Sequence, residues 1–423
     1  MHPMIEKFGN SIGTMSEKHP IAARRLLLAA FYAKKLQLAG FPNRRLPKSK
    51  RALSIAVMNS IIGCLRHPEQ SAMVSLFTPC EPLHVLGINP YSVEGLSSYL
   101  TGAGSQKRFI EQAVGSGISD TFCSYHKIFI GAAQSGVMPK PRFVIYTNLA
   151  CDANMLTFRY MADHFGIPKF AIDVPYAQTE EAVGYVAEQL QDMVRFVEEC
   201  AGQKVPYEDL CQAVKRSQRT FDNFNRFYEM QRERYLAGDV TSELYAAFIT
   251  HVLLGTNQAE AVSRQYVADM EKAPKARGVK LLWLHTIPYW QQPVLEKLNY
   301  NPDMFIGACD MCYEGMVEAD PARPFDAMAR RLVYSGFNGE GTCRIERAVE
   351  MARRIAADGA VYFCHWGCKE TLGTAKLAKD MLEQAGIPVL LLDGDGCDPA
   401  NSSDGQVATR LGAFLEMLEG KKR

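Results

Sequence analysis

The chain has 423 residues, a length that favours two α/β domains with helical additions over a single domain. Apolar residues make up 47% and charged residues 22%, as in ordinary globular proteins, and the formal net charge is +1. A charge so close to zero argues against binding to nucleic acid or to an anionic membrane surface. The apolar run at residues 26–31 is too short to span a bilayer and precedes no cleavage-site pattern, so we expect a cytoplasmic protein.

The first half of the chain changes from a helical to a mixed pattern. Residues 1–70 have apolar positions at helical spacing, which predicts an N-terminal helical segment. Residues 71–178 form the first predicted α/β domain, in which strands at 142–147 and 169–174 flank a helix at 153–165. This order indicates a parallel βαβ unit.

The second half contains a helical region and a further α/β region. Residues 179–272 are strongly charged, and we interpret them as a solvated helical connector. Residues 273–423 form the second predicted α/β domain. Four strands are expected in it, at 279–285, 304–308, 360–364 and 388–393. A crossover helix is expected at 369–385 and a final helix at 406–418. The sequence therefore predicts an α/β fold with parallel sheets, N-terminal helices and connecting helices.

Twelve cysteines are many for a chain without secretory features, and they favour metal or cluster ligation over a disulfide framework. Three of them, Cys123, Cys151 and Cys368, are predicted to lie where a strand ends and a helix begins. Open α/β sheets bind ligands at such ends, and a helix amino end favours a thiolate. Three thiolates in one crevice can hold an iron–sulfur cluster and leave one iron open as a Lewis acid.

Other arrangements of the cysteines stay open at this stage. No spacing matches a ferredoxin run or a paired zinc motif. Cys364, His365 and Cys368 make a possible zinc site, although an obvious fourth ligand is lacking. Cys309 and Cys312 form a lone CxxC, which is compatible with a redox pair, with one metal ligand or with two packed cysteines.

Two further features bear on cofactors. The Asp-Gly-Asp-Gly stretch at 393–396 follows a strand but lacks the GxGxxG pattern, and no P-loop motif is present, so we expect no dinucleotide or ATP site of these kinds. His126 and His365 adjoin candidate cysteines. They are candidates for hydrogen-bond donors to a cluster or for proton carriers, with a purely structural role as the alternative.

At the cysteine loops the sequence resembles the 2-hydroxyacyl-CoA dehydratase family. This family includes the cluster-binding subunits of benzoyl-CoA reductase and the double-cubane cluster proteins. Cys123, in the segment Cys-Ser-Tyr-His-Lys, matches the family's cysteine-plus-aromatic segment that opens a helix. Cys151 lies in a close variant, residues 146–153, of the family's Thr-x-Cys-Asp-Ala loop after a strand.

The third position of the resemblance is Cys368, which precedes a helix ending in Ala-Gly-Ile-Pro at 385–388. Cys364 is the runner-up for this position. The C-terminal segment from Asp395 to Phe414 also resembles the family, and the resemblance covers residues 70 to 420 approximately. It implies cluster ligation by Cys123, Cys151 and Cys368.

The resemblance also implies the architecture and the partners. Each subunit of the family has two flavodoxin-like (Rossmann-type) three-layer domains with the cluster between them, and two subunits pair as a heterodimer or a homodimer. An ATP-dependent iron–sulfur activator protein delivers one low-potential electron. In the dehydratases, the open iron binds a CoA thioester substrate, and a ketyl radical expels hydroxide.

Three hypotheses about function follow. The first is the iron–sulfur component of a 2-hydroxyacyl-CoA dehydratase, which binds a 4Fe-4S cluster. The second is a homodimeric double-cubane protein, in which a fused 8Fe cluster reduces small molecules. The third is a cluster-carrying electron-transfer subunit. The additional cysteines Cys80, Cys309 and Cys312 depart from the common pattern of the family and leave the cluster type undecided.

Overall fold

The computed structural model describes residues 3–422 of the chain, and within them it has an α/β fold with 17 helices and two four-stranded sheets. The strands of the first sheet are β1 (Ser71–Val74), β2 (Asn89–Ser92), β3 (Phe143–Thr147) and β4 (Lys169–Ile172). The strands of the second sheet are β5 (Val279–Leu284), β6 (Met304–Cys309), β7 (Gly359–His365) and β8 (Val389–Gly394). We call the units built on these sheets the first and second domains. The predicted fold class, two flavodoxin-like domains with parallel sheets, is confirmed.

The helices surround both sheets and supply the N-terminal and middle regions. They are α1 (Pro3–Lys18), α2 (Pro20–Gly40), α3 (Lys48–Arg66), α4 (Glu81–Val85), α5 (Val93–Gly102), α6 (Gln106–Gly115), α7 (Ser124–Gln134), α8 (Asp152–Phe165), α9 (Glu180–Ala201), α10 (Tyr207–Gln231), α11 (Val240–Thr250), α12 (Asn257–Lys272), α13 (Gln292–Leu298), α14 (Pro324–Val333), α15 (Gly341–Ile355), α16 (Lys369–Gln384) and α17 (Asp404–Lys422). None of the described helices is long and apolar enough to cross a membrane.

The two sheets have the same topology. The strand order is β2-β1-β3-β4 in the first sheet and β6-β5-β7-β8 in the second, and every neighbouring pair is parallel. The chain moves to one side of its first strand and then returns to the other side. A topological switch point, the usual ligand position in such sheets, therefore lies between β1 and β3 and again between β5 and β7.

Each sheet is buried on both faces. Along β3, Phe143 and Ile145 belong to one core cluster, whereas Val144 and Tyr146 belong to the other, as the two-residue period of a strand requires. Helices α9 and α14 share the first of these clusters. Helix α14, which follows β6 in sequence, thus packs in the core of the first domain. The proposed division of the chain after residues 70, 178 and 272 stays a prediction.

The predicted strands and the βαβ helices match the structure to within two residues at each end. The final helix is longer than predicted, because it continues to Lys422. Strands β1 and β2 escaped prediction, since four residues are too few to display a two-residue period and β2 includes Pro90.

Candidate active site

Each of the three predicted ligand cysteines immediately precedes a helix. Cys123 is the N-cap of α7, Cys151 the N-cap of α8 and Cys368 the N-cap of α16. The dipoles of the helices that begin at these cysteines favour negative charge at the sulfurs. The prediction that a strand precedes Cys123 is wrong, because Cys123 follows α6 and a loop.

The topology brings the three cysteines together between the domains. Cys151 follows β3 and Cys368 follows β7, which are equivalent strands beside the two switch points. With Cys123 they line an inner cavity of about 120 Å³. The same three residues also line a larger outer groove of about 990 Å³, whose wall includes Trp366. The thiols therefore lie at the junction of a small interior space and a larger groove.

Gly367 allows the second domain to approach Cys123 closely. Its φ of +78° is a left-handed conformation that glycine adopts without strain. A Cβ atom at this position would lie 2.8 Å from the carbonyl oxygen of Thr121 and 2.9 Å from the backbone nitrogen of Cys123. The loop before α16 therefore packs directly on the backbone before α7, and this contact brings Cys368 beside Cys123.

Asp395 joins the loop after β8 to the start of α7. The hydroxyl of Ser124 donates to Asp395 Oδ1, which also accepts the backbone N–H groups of Cys397 at 2.8 Å and Asp398 at 2.9 Å. Asp395 is completely buried. Asp395 thus has a structural role, because it ties the second domain to the cysteine helix of the first.

His365 donates a hydrogen bond to the Cys123 sulfur. The backbone N–H of Gly396 donates to His365 Nδ1 at 3.0 Å, so this nitrogen carries no proton and the proton lies on Nε2. Nε2 lies 3.3 Å from the sulfur of Cys123. In a matching contact, His126 Nε2 lies 3.8 Å from the sulfur of Cys151. Burial, with a smaller contribution from His365, lowers the pKa of His126 to about 3, so this ring is neutral.

The cysteine set suits a cationic cofactor with several metal ions. Burial and then the neighbouring Cys151 and Cys368 raise the pKa of Cys123 well above its usual value, and burial raises that of Cys151 in the same way. Cys123 and Cys151 therefore ionise together only beside strong positive charge. Within residues 3–422, no three His, Cys, Asp or Glu side chains are close enough to hold one metal ion. A cluster, which binds each thiolate through a different iron, fits this wider spacing.

Several buried polar atoms of the inner cavity have no hydrogen-bond partner. Asn154 is completely buried, and neither atom of its side-chain amide is paired. His126 Nδ1 and Arg344 Nη1 are also buried and unpaired, and all three residues line the inner cavity. Buried polar groups are almost always paired in native proteins, so a bound molecule is the natural partner for these atoms.

Glu94 places a carboxyl group with a neutral-range pKa in the same cavity. It lies in the first turn of α5, where its oxygens accept from the Leu76 backbone N–H and the Ser92 hydroxyl, each at 3.4 Å. Burial raises the pKa of Glu94 to about 7. Such a group can release and accept a proton near neutral pH.

Cys364, the runner-up ligand, lies apart from the three cysteines. It is buried within β7 and lines neither the inner cavity nor the outer groove. Its neighbours are Asp393 of the adjacent strand and Arg410 of α17. The alternative of a zinc site formed by Cys364, His365 and Cys368 is therefore not supported by the described residues.

The additional cysteines of the sequence lie in the packed core. Cys80 is completely buried, and its thiol donates to the Thr78 carbonyl at 3.2 Å. Cys309 and Cys312 lie side by side at the end of β6, and the Cys312 thiol donates to the Glu243 carbonyl at 3.4 Å. None of the three lines the inner cavity or the outer groove.

The family described as "2-hydroxyglutaryl-CoA dehydratase, D-component" matches residues 75–418. The chain belongs to this family. The match includes every strand except β1 and all three cysteine loops, and membership places the chain among the lyases and reductases of the dehydratase D-component family.

Individual relatives agree with this assignment. The (R)-phenyllactyl-CoA dehydratase alpha subunit of Clostridium sporogenes is 23% identical over 81% of this chain and 88% of its own length. The lactoyl-CoA dehydratase subunit alpha of Anaerotignum propionicum is 24% identical over 76% of this chain and 85% of its own. A benzoyl-CoA reductase subunit of Thauera aromatica is 20% identical over 74% of this chain and 80% of its own. The dehydratase D-component family thus includes relatives of both reaction types.

Sequence reasoning missed the polar residues that surround the cysteines. Glu94, Asn154 and Arg344 come from α5, α8 and α15, and only the fold brings them to one cavity. Asn154 had a usable signal, since it lies one helical turn after Cys151 on a predicted helix. Glu94 and Arg344 had none, because charged residues near helix starts are common in any sequence.

Proposed function

We propose that this chain is the iron–sulfur component of a 2-hydroxyacyl-CoA dehydratase. In this proposal Cys123, Cys151 and Cys368 would hold a 4Fe-4S cluster, which would supply one low-potential electron obtained from an ATP-dependent activator. The substrate then loses its 2-hydroxyl group and a hydrogen from C3 as water, by way of a ketyl radical. The electron is recovered at the end, so the net reaction is a dehydration.

One observation carries the proposal. Three helix-capping cysteines from two domains line one cavity in a member of the dehydratase D-component family. The first two relatives named above are alpha subunits of dehydratases, which supports a paired subunit for this chain as well. A homologous subunit or a second copy of the chain would fill that place.

The residues around the cysteines have distinct tasks in this proposal. A bound cluster would supply an open iron for a substrate oxygen and one electron. Asn154 and Arg344 offer unpaired donors that can orient the thioester carbonyl and the 2-hydroxyl group. Glu94 can protonate the departing hydroxide, because its pKa of about 7 leaves it partly protonated at neutral pH. The inner cavity keeps most water away from the reacting atoms.

A reductase of the same family is the second candidate. Its support is the similarity to a benzoyl-CoA reductase subunit, which covers most of the chain. In such an enzyme, electrons would remain in the product. A fused 8Fe double-cubane cluster in a homodimer belongs to this second candidate. A cluster-carrying subunit limited to electron transfer is a third candidate, distinct from both enzymes.

Anaerobic purification followed by iron and sulfide analysis tests the proposal. We expect about four irons per chain and loss of cluster in each of the variants Cys123→Ser, Cys151→Ser and Cys368→Ser. The matched control is Cys364→Ser, which should keep its iron because Cys364 lies outside both cavities. About eight irons per chain would favour the reductase candidate. A redox-silent protein that contains only zinc would contradict both.

A further inference from the structure

Part of the inner-cavity wall consists of hydrophobic side chains, and we call this part the apolar end. Leu244, Ala247 and Phe248 of α11, together with Phe77 and Phe337, form much of its wall. The ring of Phe77 packs edge-on against that of Phe337, with ring centroids 5.7 Å apart. These side chains cannot hydrogen-bond to a ligand, so they favour an apolar group in this part of the cavity.

The charges that line the inner cavity leave no free cation. Arg344 is the one Lys or Arg among the described lining residues, and its Nε and Nη2 donate to Asp310 Oδ2 at 2.9 and 2.7 Å. Both side chains are at most 3% exposed. A second carboxylate, that of Glu370, lies 3.9 Å from Arg344 Nη1. The guanidinium is thus already neutralised, and its free N–H suits a neutral oxygen.

A carboxylate on the acyl side chain would therefore be buried without a counter-charge. Of the three lining histidines, His126 and His365 already direct Nε2 at the sulfurs of Cys151 and Cys123, at 3.8 and 3.3 Å, and burial lowers the pKa of His285. Glu94 would add repulsion when ionised. Burial of an unpaired carboxylate is among the costliest events in protein recognition, whereas an alkyl group gains affinity with each methylene buried.

The cavity volume limits the size of the group. An engineered cavity of about 150 Å³ lined by apolar side chains holds a benzene molecule. The inner cavity, at about 120 Å³, is slightly smaller. It has room for a branched group of about four carbons, with a phenyl ring as the upper limit. The thioester end would then lie at the cysteines, and the outer groove is left for the remainder of the CoA.

We propose that this enzyme takes 2-hydroxyacyl thioesters whose side chain is uncharged, apolar and no larger than a phenyl group, and that it excludes dicarboxylic acyl groups. The inference rests on the proposed dehydratase function and identifies its substrate class. Ala247 and Phe248 set the size limit. Gly95 contributes as well, because a Cβ atom there would lie 2.4 Å from the Phe248 ring and push it into the cavity.

Binding of saturated acyl-CoA analogues tests this substrate class without turnover. The dissociation constants of 4-methylpentanoyl-CoA, propionyl-CoA and glutaryl-CoA are measured calorimetrically with the anaerobically purified, cluster-containing protein. The first and the last have the same five-carbon main chain, so they differ mainly in the terminal charge. We expect 4-methylpentanoyl-CoA to bind about tenfold or more tightly than glutaryl-CoA, and also more tightly than propionyl-CoA.

Substitutions in the wall of the inner cavity test whether the acyl side chain of the substrate binds there. Ala247→Leu fills the apolar end, so affinity for 4-methylpentanoyl-CoA should fall about tenfold while that for propionyl-CoA changes little. Ala246→Leu is the matched control, since Ala246 is buried on the same helix but does not line the cavity. Gly95→Ala is a second, milder variant with the same expected direction, and it serves if Ala247→Leu does not fold.

The outcomes distinguish failure of the proposed substrate class from failure of the proposed dehydratase function. Equal or tighter binding of glutaryl-CoA, or affinities that Ala247→Leu and Gly95→Ala leave unchanged, would overturn the substrate class and leave the dehydratase function standing. Absence of binding by every acyl-CoA and by CoA itself would contradict the dehydratase function and, with it, the substrate class.

Discussion

The hydrogen bond from His365 to Cys123 should tune a bound cluster. A reduced cluster carries one more negative charge, and an N–H group directed at a ligand sulfur stabilises that charge. His365→Ala should therefore lower the reduction potential, as measured by potentiometric titration with EPR detection. His365→Gln can retain a donor and should lower it less. An unchanged potential in a His365→Ala variant that keeps its iron would contradict this role.

Glu94 should make stability depend on pH in a defined direction. Its pKa is raised from 4.5 to about 7 in the folded chain, so the folded state binds the proton more tightly than the unfolded state does. The contribution is therefore largest below about pH 4.5 and declines as the pH rises through 7, by an amount on the order of 3 kcal/mol at most. From about pH 5 to about pH 8, the melting temperature should fall more in the wild type than in Glu94→Gln. A parallel fall in both proteins would refute the assignment.

At the scale of elements, the helices and strands that could be predicted from the sequence are those marked by residues within or next to the element itself. The helix predicted at 153–165 matches α8, and the left-handed conformation of Gly166 closes its C-terminal end. The buried strands β5 and β7 were visible as continuous apolar runs. The positions of the elements relative to one another could not be predicted. Residues of α11 line the inner cavity, whereas the sequence predicted this region only as part of a charged helical connector.

The loop before α16 offers a test of how one element places a ligand. In Gly367→Ala, a Cβ atom would meet the Thr121 carbonyl and the Cys123 nitrogen in a conformation that alanine adopts only with strain. The loop must move, and Cys368 moves with it. We expect reduced iron and sulfide content and a loss of about 1–3 kcal/mol of stability by chemical unfolding.

Gly373→Ala, within α16, is the control for the Gly367→Ala variant. No atom lies within 4 Å of the added Cβ, and Gly373 has no left-handed conformation. Alanine also favours a helix more than glycine does, by about 1 kcal/mol. This variant should keep its iron and be slightly more stable than the wild type. Equal iron content in both variants would show that the close approach of Gly367 does not position Cys368.

At the scale of the whole molecule, the cysteine site closes the space between two domains of equal topology. The first domain supplies Cys123 and Cys151, and the second supplies Cys368. Direct links between the domains at this edge include the buried Ser124–Asp395 hydrogen bond, the contact of His365 Nε2 with the Cys123 sulfur and an ion pair of 3.0 Å between Lys369 and Asp152. The ion pair is highly exposed and adds little stability. A cluster bound by all three cysteines would add a covalent connection between the domains here.

Cluster loading should consequently stabilise both domains at once. Amide hydrogen exchange, measured anaerobically with and without reconstituted iron and sulfide, should slow at the starts of α7 and α8 and equally at the start of α16, because all three helix ends would be fixed to one rigid group. In Cys368→Ser, the protection gained at α16 should disappear, and that at α7 and α8 should weaken, since the remaining two thiolates belong to one domain. Protection confined to the first domain in the wild type would contradict the three-cysteine site, because a cluster bound only by Cys123 and Cys151 has no reason to order a helix that begins on the opposite sheet.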